Sequence, residues 1–291
     1  MAGGKGGSLL SPEALSGSLM HGDSFSLMPL LPRGFASLII ADPPYNLTKQ
    51  YASSAFSARS REEYRAYTQA WLSLALPLLA EDGSLYVCCD WKSSVVIAGL
   101  LSELEEQGQL VLRNRITWER EKGRGAAANW KNSMEDIWFA TRGGRYTFNT
   151  DAVKMRRRVV APYKQDGLPK DWVDDGQGGF RDTCPSNFWN DISVPFWSMA
   201  ENTAHPTQKS EKLLAKLILA SCPPEGIVFD PFLGSGTASV TAKKLGRHFV
   251  GIEMNEEYCL LAQKRLKIAE SDTRIQGYAD GVFWERNSGR P

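Results

Sequence analysis

The sequence predicts an α/β fold, an open sheet carrying helices, and three observations point to it. Short apolar runs of strand length alternate with longer segments whose apolar residues recur at helical spacing. Two of the strand-like runs stop abruptly in turn-forming sequence, Asp42-Pro43-Pro44-Tyr45 and Asp230-Pro231-Phe232-Leu233-Gly234-Ser235-Gly236. The composition, 42% hydrophobic and 23% charged, is that of a globular chain able to bury a substantial core.

Strands are expected at residues 37–41, 84–88, 110–118, 135–140, 226–229 and 249–253, and helices at 62–79, 94–107, 211–220, 237–245 and 256–270. In the first helix Tyr64, Tyr67, Trp71, Leu74 and Leu78 keep close to a 3.6-residue period, which reads as a core stripe. Residues 1–17 form a Gly-rich lead-in without the apolar centre of a signal peptide. No apolar run approaches the roughly 20 residues of a membrane span. The expectation is a protein of the cytoplasm that uses no membrane.

Five cysteines are scattered without a C-x-x-C pair, as expected for inert thiols in a reducing compartment. Together with three histidines they make no ligand cluster, so no metal is expected. The net charge is only +1, so any nucleic-acid partner must be met by local charge. Two clusters supply it: Arg113, Arg115, Arg120, Lys122, Arg124 and Lys131, and then Lys154, Arg156, Arg157 and Arg158.

The stretch 145–203 breaks the alternation. It is rich in Gly and Pro, yet it carries Trp172, Phe180, Phe188, Trp189, Phe196 and Trp197, which argue against disorder. A loop-rich insertion folded against the sheet is expected there, and residues 271–291 form a tail of unassigned role.

The turn Asp42–Tyr45 gathers a carboxylate, a free prolyl carbonyl and an aromatic ring around one point, because each proline fixes its own φ and restricts the residue before it. Two acceptors and a stacking face suit a planar base with an exocyclic NH2.

The segment 227–237 is a strand running into a Gly-rich turn and a helix start. It lacks the Lys of a P-loop, and Ser239 stands where the dinucleotide fingerprint wants its third glycine. A plain tight turn and an S-adenosylmethionine site remain. The next strand ends in Glu253, placed to accept ribose hydroxyls in a parallel nucleotide-binding sheet. His205-Pro206-Thr207-Gln208-Lys209 reads either as a helix start or as a segment over the cofactor. Asp23 reads either as a turn carboxylate or as a cofactor contact.

Together these residues resemble the β-group of site-specific DNA amino-methyltransferases, in which Asp-Pro-Pro-Tyr precedes the cofactor motif. The resemblance covers about residues 18–270. It implies a Rossmann-like methyltransferase fold with a seven-stranded mixed sheet, helices on both faces, permuted motif order and a target-recognition insertion at 145–203. It further implies a catalytic set of Asp42, Pro43, Pro44 and Tyr45. The implied S-adenosyl-L-methionine site comprises Asp23, Asp42, Thr207, Lys209, Asp230, Phe232, Gly234, Ser235, Gly236, Thr237, Glu253 and Met254, with Thr207 and Lys209 on the cofactor carboxylate. DNA phosphates would meet Lys122, Arg124, Arg156, Arg157 and Arg158. Loops 48–56 and 123–132 are candidates for steering a flipped base. A homodimer and a cognate restriction endonuclease are implied as partners.

Asp at the first motif position favours adenine N6 over cytosine N4, whose enzymes often resemble Ser-Pro-Pro-Tyr. RNA and protein-glutamine methyltransferases usually resemble Asn-Pro-Pro-Tyr and place the cofactor motif first. An inactive DNA-binding subunit is disfavoured by intact Asp42, Tyr45, Gly234, Gly236 and Glu253.

Overall fold

Leu38 and Ile40 pack on one side of their strand and Ile39 and Ala41 on the other, and all four are buried. Period-two alternation with both sides apolar is what a strand covered on both faces requires. In the computed structural model, which describes residues 11–51, 54–120, 128–159, 164–166, 168–170, 172–174 and 179–286, that strand lies inside a central sheet. Its strands are Ser18–His21 (β1), Ala36–Ala41 (β2), Leu79–Cys89 (β3), Val111–Glu119 (β4), Met134–Thr141 (β5), Phe188–Trp189 (β6), Ile227–Asp230 (β7) and His248–Glu253 (β8). Their order is β1-β8-β7-β2-β3-β5-β4-β6. Pairing is parallel from β1 to β3, antiparallel on both sides of β5, and parallel again between β4 and β6.

The sheet is mixed, as expected, but it has eight strands among the described residues where seven were implied. The additional one, Phe188–Trp189, comes from the insertion and pairs Phe188 with Thr117 at the edge. Two residues are too few to show a period in sequence.

Helices Arg61–Ala75 (α1) and Trp91–Glu106 (α2) cover one face; Glu211–Ser221 (α3), Thr237–Lys244 (α4) and Glu256–Ile268 (α5) cover the other. Adjacent Cys88 and Cys89 divide between the two cores for the same period-two reason. Helix α1 begins with a capping box, in which Glu63 N–H donates to Ser60 Oγ and Ser60 N–H to Glu63 Oε2. It stops at Ala75, short of the expected 79, because Pro77 tightens residues 76–78 into a single 3-10 turn.

The insertion and the tail are one structure. Gly179–Thr183, Met155–Arg158 and Val282–Trp284 are neighbours in a five-stranded sheet, and Val282–Trp284 runs parallel to Met155–Arg158. Residues 271–286 are therefore built into the fold and do not trail from it. Buried Val153, Met155, Ala215, Leu219 and Phe283 form the core that ties this second sheet to α3. Asp191 completes the tie: Lys212 Nζ and Lys216 Nζ each lie 2.8 Å from its carboxylate, and Lys212 also donates to the Trp284 carbonyl. No helix among the described residues is long and apolar enough to cross a membrane.

Candidate active site

β2 and β7 are adjacent parallel strands, pairing Leu38 with Val228 and Ile39 with Phe229. The chain leaves β2 into Asp42–Tyr45 and leaves β7 into the Gly-rich turn. Connections then diverge to opposite sides of the sheet, so the crevice at the carboxyl ends of β2 and β7 is a topological switch point. A pocket of about 420 Å³ opens there, within the size range of small-ligand sites.

All but one of the expected catalytic and cofactor residues line that pocket. The exception is Gly236. Its backbone is left-handed, with φ 80°, and a β-carbon on it would come within 2.6 Å of Ala262 Cβ. Gly236 thus serves the close packing of α4 on α5. Gly234 does sit on the pocket, with φ 54° and His205 Nε2 at 3.0 Å from where a β-carbon would stand.

Glu253, ending β8, accepts the Gly234 N–H on Oε2 and the Asn255 N–H on Oε1, both at 2.7 Å. The carboxylate lines the pocket and can accept more than these two bonds, as ribose hydroxyls would need. Burial raises its pKa against the pull of those N–H groups. Asp230 is buried and accepts the Phe232 N–H at 2.9 Å. Burial pushes its carboxyl up to about 8, the Phe232 N–H opposes the rise, and the Asp42 and Glu253 carboxylates add to it.

Asp23 caps the short helix Ser24–Leu27, accepting from Phe25 N–H and Ser26 Oγ, and reaches the pocket rim. Ser235 and Thr237 line the pocket, but their hydroxyls face Arg265, which is held in turn by Glu211. Neither Arg265 nor Glu211 was singled out in sequence; Glu211 starts α3, a helix buried along its whole length, and Arg265 is a buried residue of α5.

Lys209 is aimed at the catalytic turn, with Nζ 2.7 Å from Asp42 Oδ2 and 3.3 Å from Glu135 Oε2. The reason is charge. Two carboxylates in a buried pocket need a counter-ion. Burial works against the ammonium, yet Asp42 and Glu135 more than compensate and hold its pKa above the ordinary lysine value. Tyr45, expected to offer only its ring, has its hydroxyl in the same network, 2.9 Å from Asp42 Oδ1 and 3.1 Å from Glu135 Oε2. Burial, then Asp42 and Glu135, push the phenol well above its ordinary value.

The basic residues are divided. Lys122 and Arg124 lie outside the described residues, as do 123–127 of the second loop candidate and 52–53 of the first. Arg156 makes a two-pronged ion pair with Asp182 at 2.8 and 2.7 Å and lies over the Trp284 ring. Arg157 Nε is 4.0 Å from Glu285. Arg158 ends the same strand on the exposed side.

Comparison with known proteins finds matching relatives. The N6/N4 DNA methylase family matches residues 36–264. The Type II methyltransferase M.HpaI of Haemophilus parainfluenzae is 30% identical over 242 residues, 83% of this chain and 69% of that protein. The DNA adenine methyltransferase YhdJ of Escherichia coli (strain K12) is 29% identical over 259 residues, 87% and 83% of the two chains. Among solved structures, the M1.HpyAVI–SAM complex superposes with a TM-score of 0.57 at 25% identity, covering 86% of this chain and 98% of that one. The cytosine-N4-specific PvuII DNA methyltransferase shares the fold, with a TM-score of 0.64 at 18% identity over 86% of each chain.

Proposed function

The chain belongs to the N6/N4 DNA methylase family, and we propose that within it the protein methylates the exocyclic N6 amino group of an adenine at a specific DNA site. It is an S-adenosylmethionine-dependent DNA methyltransferase. One observation carries the reading of the site: the Asp42–Tyr45 turn and the Gly234 turn leave neighbouring parallel strands into one pocket.

S-adenosylmethionine, when bound, supplies a methyl group on a sulfonium. The chain's own residues position the acceptor for in-line displacement. An aromatic NH2 is a poor nucleophile because its lone pair is conjugated with the ring. Asp42 accepts one amino hydrogen and the Pro43 carbonyl the other, drawing the nitrogen towards tetrahedral geometry, while Tyr45 stacks on the base. The nitrogen proton becomes acidic only after alkylation, so Asp42 need not be a strong base. An amino group inside a stacked duplex is out of reach, so the base is flipped into the pocket.

Glu253 would hold the ribose hydroxyls, Asp23 the adenine amino group, and Thr207 the methionine end of the donor. In this reading 145–203 recognises the target, and Arg156–Arg158 with Lys122 and Arg124 contribute phosphate contacts. A homodimer, a cognate restriction endonuclease and a cytoplasmic location belong to the same proposal; M.HpaI, as a Type II enzyme, supports a restriction–modification setting.

Adenine is favoured over cytosine N4 by Asp at the first motif position and by the adenine activity named for YhdJ. Cytosine presents the same pair of amino hydrogens, and PvuII methyltransferase shares the fold, so that is the second reading. Incubating DNA with labelled S-adenosylmethionine and separating the nucleosides decides between them. N6-methyladenine is expected, and 4-methylcytosine alone would sink the adenine assignment.

A further inference from the structure

Glu135 is a buried carboxylate outside every sequence motif, and its partners are the groups that hold Asp42. It is the second residue of β5, paired with Trp118 of β4 and only 4% exposed. A carboxylate so placed must be fully paired. Its Oε1 meets Arg120 Nη1 at 2.5 Å, at the end of β4. Its Oε2 meets the Tyr45 hydroxyl at 3.1 Å and Lys209 Nζ at 3.3 Å.

Those same two groups meet the other carboxylate: the single Tyr45 hydroxyl proton is shared between Glu135 Oε2 and the nearer Asp42 Oδ1, and Lys209 donates to Asp42 Oδ2. Lys209 Nζ also donates to the Tyr45 hydroxyl at 3.0 Å. Asp42, Tyr45, Glu135 and Lys209 therefore close a ring of contacts that fixes the plane of the Asp42 carboxylate. Each Asp42 oxygen gives one lone pair to the ring and keeps another. Two carboxylates face two cations, so the cluster is electrically balanced, and Lys209 and Arg120 hold Glu135 ionised although burial opposes it.

We propose that Glu135, backed by Arg120, is a positioning residue for methyl transfer: it holds Lys209 and Tyr45 so that Asp42 presents its remaining lone pairs to the target amino group in one orientation. Glu135 does not touch the substrate in this scheme; it acts through Asp42. The inference rests on the reading of this pocket as the methyl-transfer site. A carboxylate that served only to neutralise Arg120 would matter for stability and not for turnover.

The test compares wild type, Glu135→Gln, Lys209→Met and the double variant. Labelled S-adenosylmethionine and duplex DNA give the rates, calorimetry gives donor affinity, and a thermal melt reports folding. Glu135→Gln should lower kcat by ~10- to 100-fold, the scale of a misplaced reacting group, with donor KM within about twofold because it does not touch the donor. The double variant should be no slower than the slower single, because both substitutions open one ring. A folded Glu135→Gln enzyme with wild-type kcat overturns the inference, and so do losses that multiply in the double variant. Should Glu135→Gln fail to fold, Arg120→Gln at the half-exposed end replaces it. That variant should lose about three- to tenfold in kcat at unchanged donor affinity, and an unchanged kcat overturns the inference. A wild type that transfers no methyl group overturns the reading of the site; an active wild type with an unaffected Glu135→Gln overturns this inference alone.

Discussion

Gly236 packs so closely on Ala262 that a β-carbon on the glycine would stand 2.6 Å from the alanine's own. The contact joins the start of α4 to the middle of α5, and its strength is measurable. Gly236→Ala combines a left-handed backbone with overpacking, which together should destabilise by about 2–4 kcal/mol. Gly34→Ala is the control, since Gly34 has φ +65° but nothing within 4 Å of a β-carbon. It should lose only about 1–2 kcal/mol. Denaturant melts of both check the difference, and equal losses would remove the packing role.

Asp42→Ala should abolish methyl transfer while the donor still binds. The substitution removes an acceptor for the amino group, whereas the Glu253 and Gly234 contacts lie on other strand ends. Rate and calorimetric affinity measured on the same preparation check it. Substantial turnover would end the assigned role.

Asp191→Ala should destabilise by about 3–5 kcal/mol, because it strands buried charge. Lys212 and Lys216 are both buried on its carboxylate, and burial already lowers Lys216 to about 8 against the pull of Asp191. A denaturant melt should show the loss. A change below about 1 kcal/mol would mean that the lysines find other partners.

Stability without donor should fall as pH rises, in part through Asp230. Burial lifts its carboxyl in the folded protein to about 8, above the ordinary 3.8. The folded state keeps a proton that the unfolded chain releases, so this contribution is complete below the unfolded pKa and is lost as pH climbs through the folded one. Glu201, raised to about 7 by burial and then Glu211, adds to the same trend. Asp230→Asn should flatten the dependence of melting temperature on pH between about 4 and 8. Parallel curves for variant and wild type would refute it.

Those features written in consecutive residues are legible in the sequence alone. Asp42–Tyr45 and Asp230–Thr237 are local turns whose prolines and glycines dictate backbone shape, and each lies beside a strand long enough to show its period. Glu135 was not legible, because its role depends on β5 standing between β3 and β4, which places a strand residue beside a turn far away in sequence. The ion pairs of Lys209 with Asp42 and Glu135 were not legible for a related reason, since Glu135 lies on a strand far away in sequence. Strands such as Phe188–Trp189 and Tyr278–Ala279 are set by their partners and carry no pattern of their own.

The parallel pairing of Val282–Trp284 with Met155–Arg158 also sets an order of assembly on the ribosome. Met155–Arg158 emerges early, yet one of its neighbours is synthesised only after the Gly-rich turn, β8 and α5 have been made. The catalytic sheet can close first, and the insertion sheet is completed only once Val282–Trp284 has been made. A nascent chain halted after α5 would hold both motifs of the pocket beside an insertion sheet with an open edge.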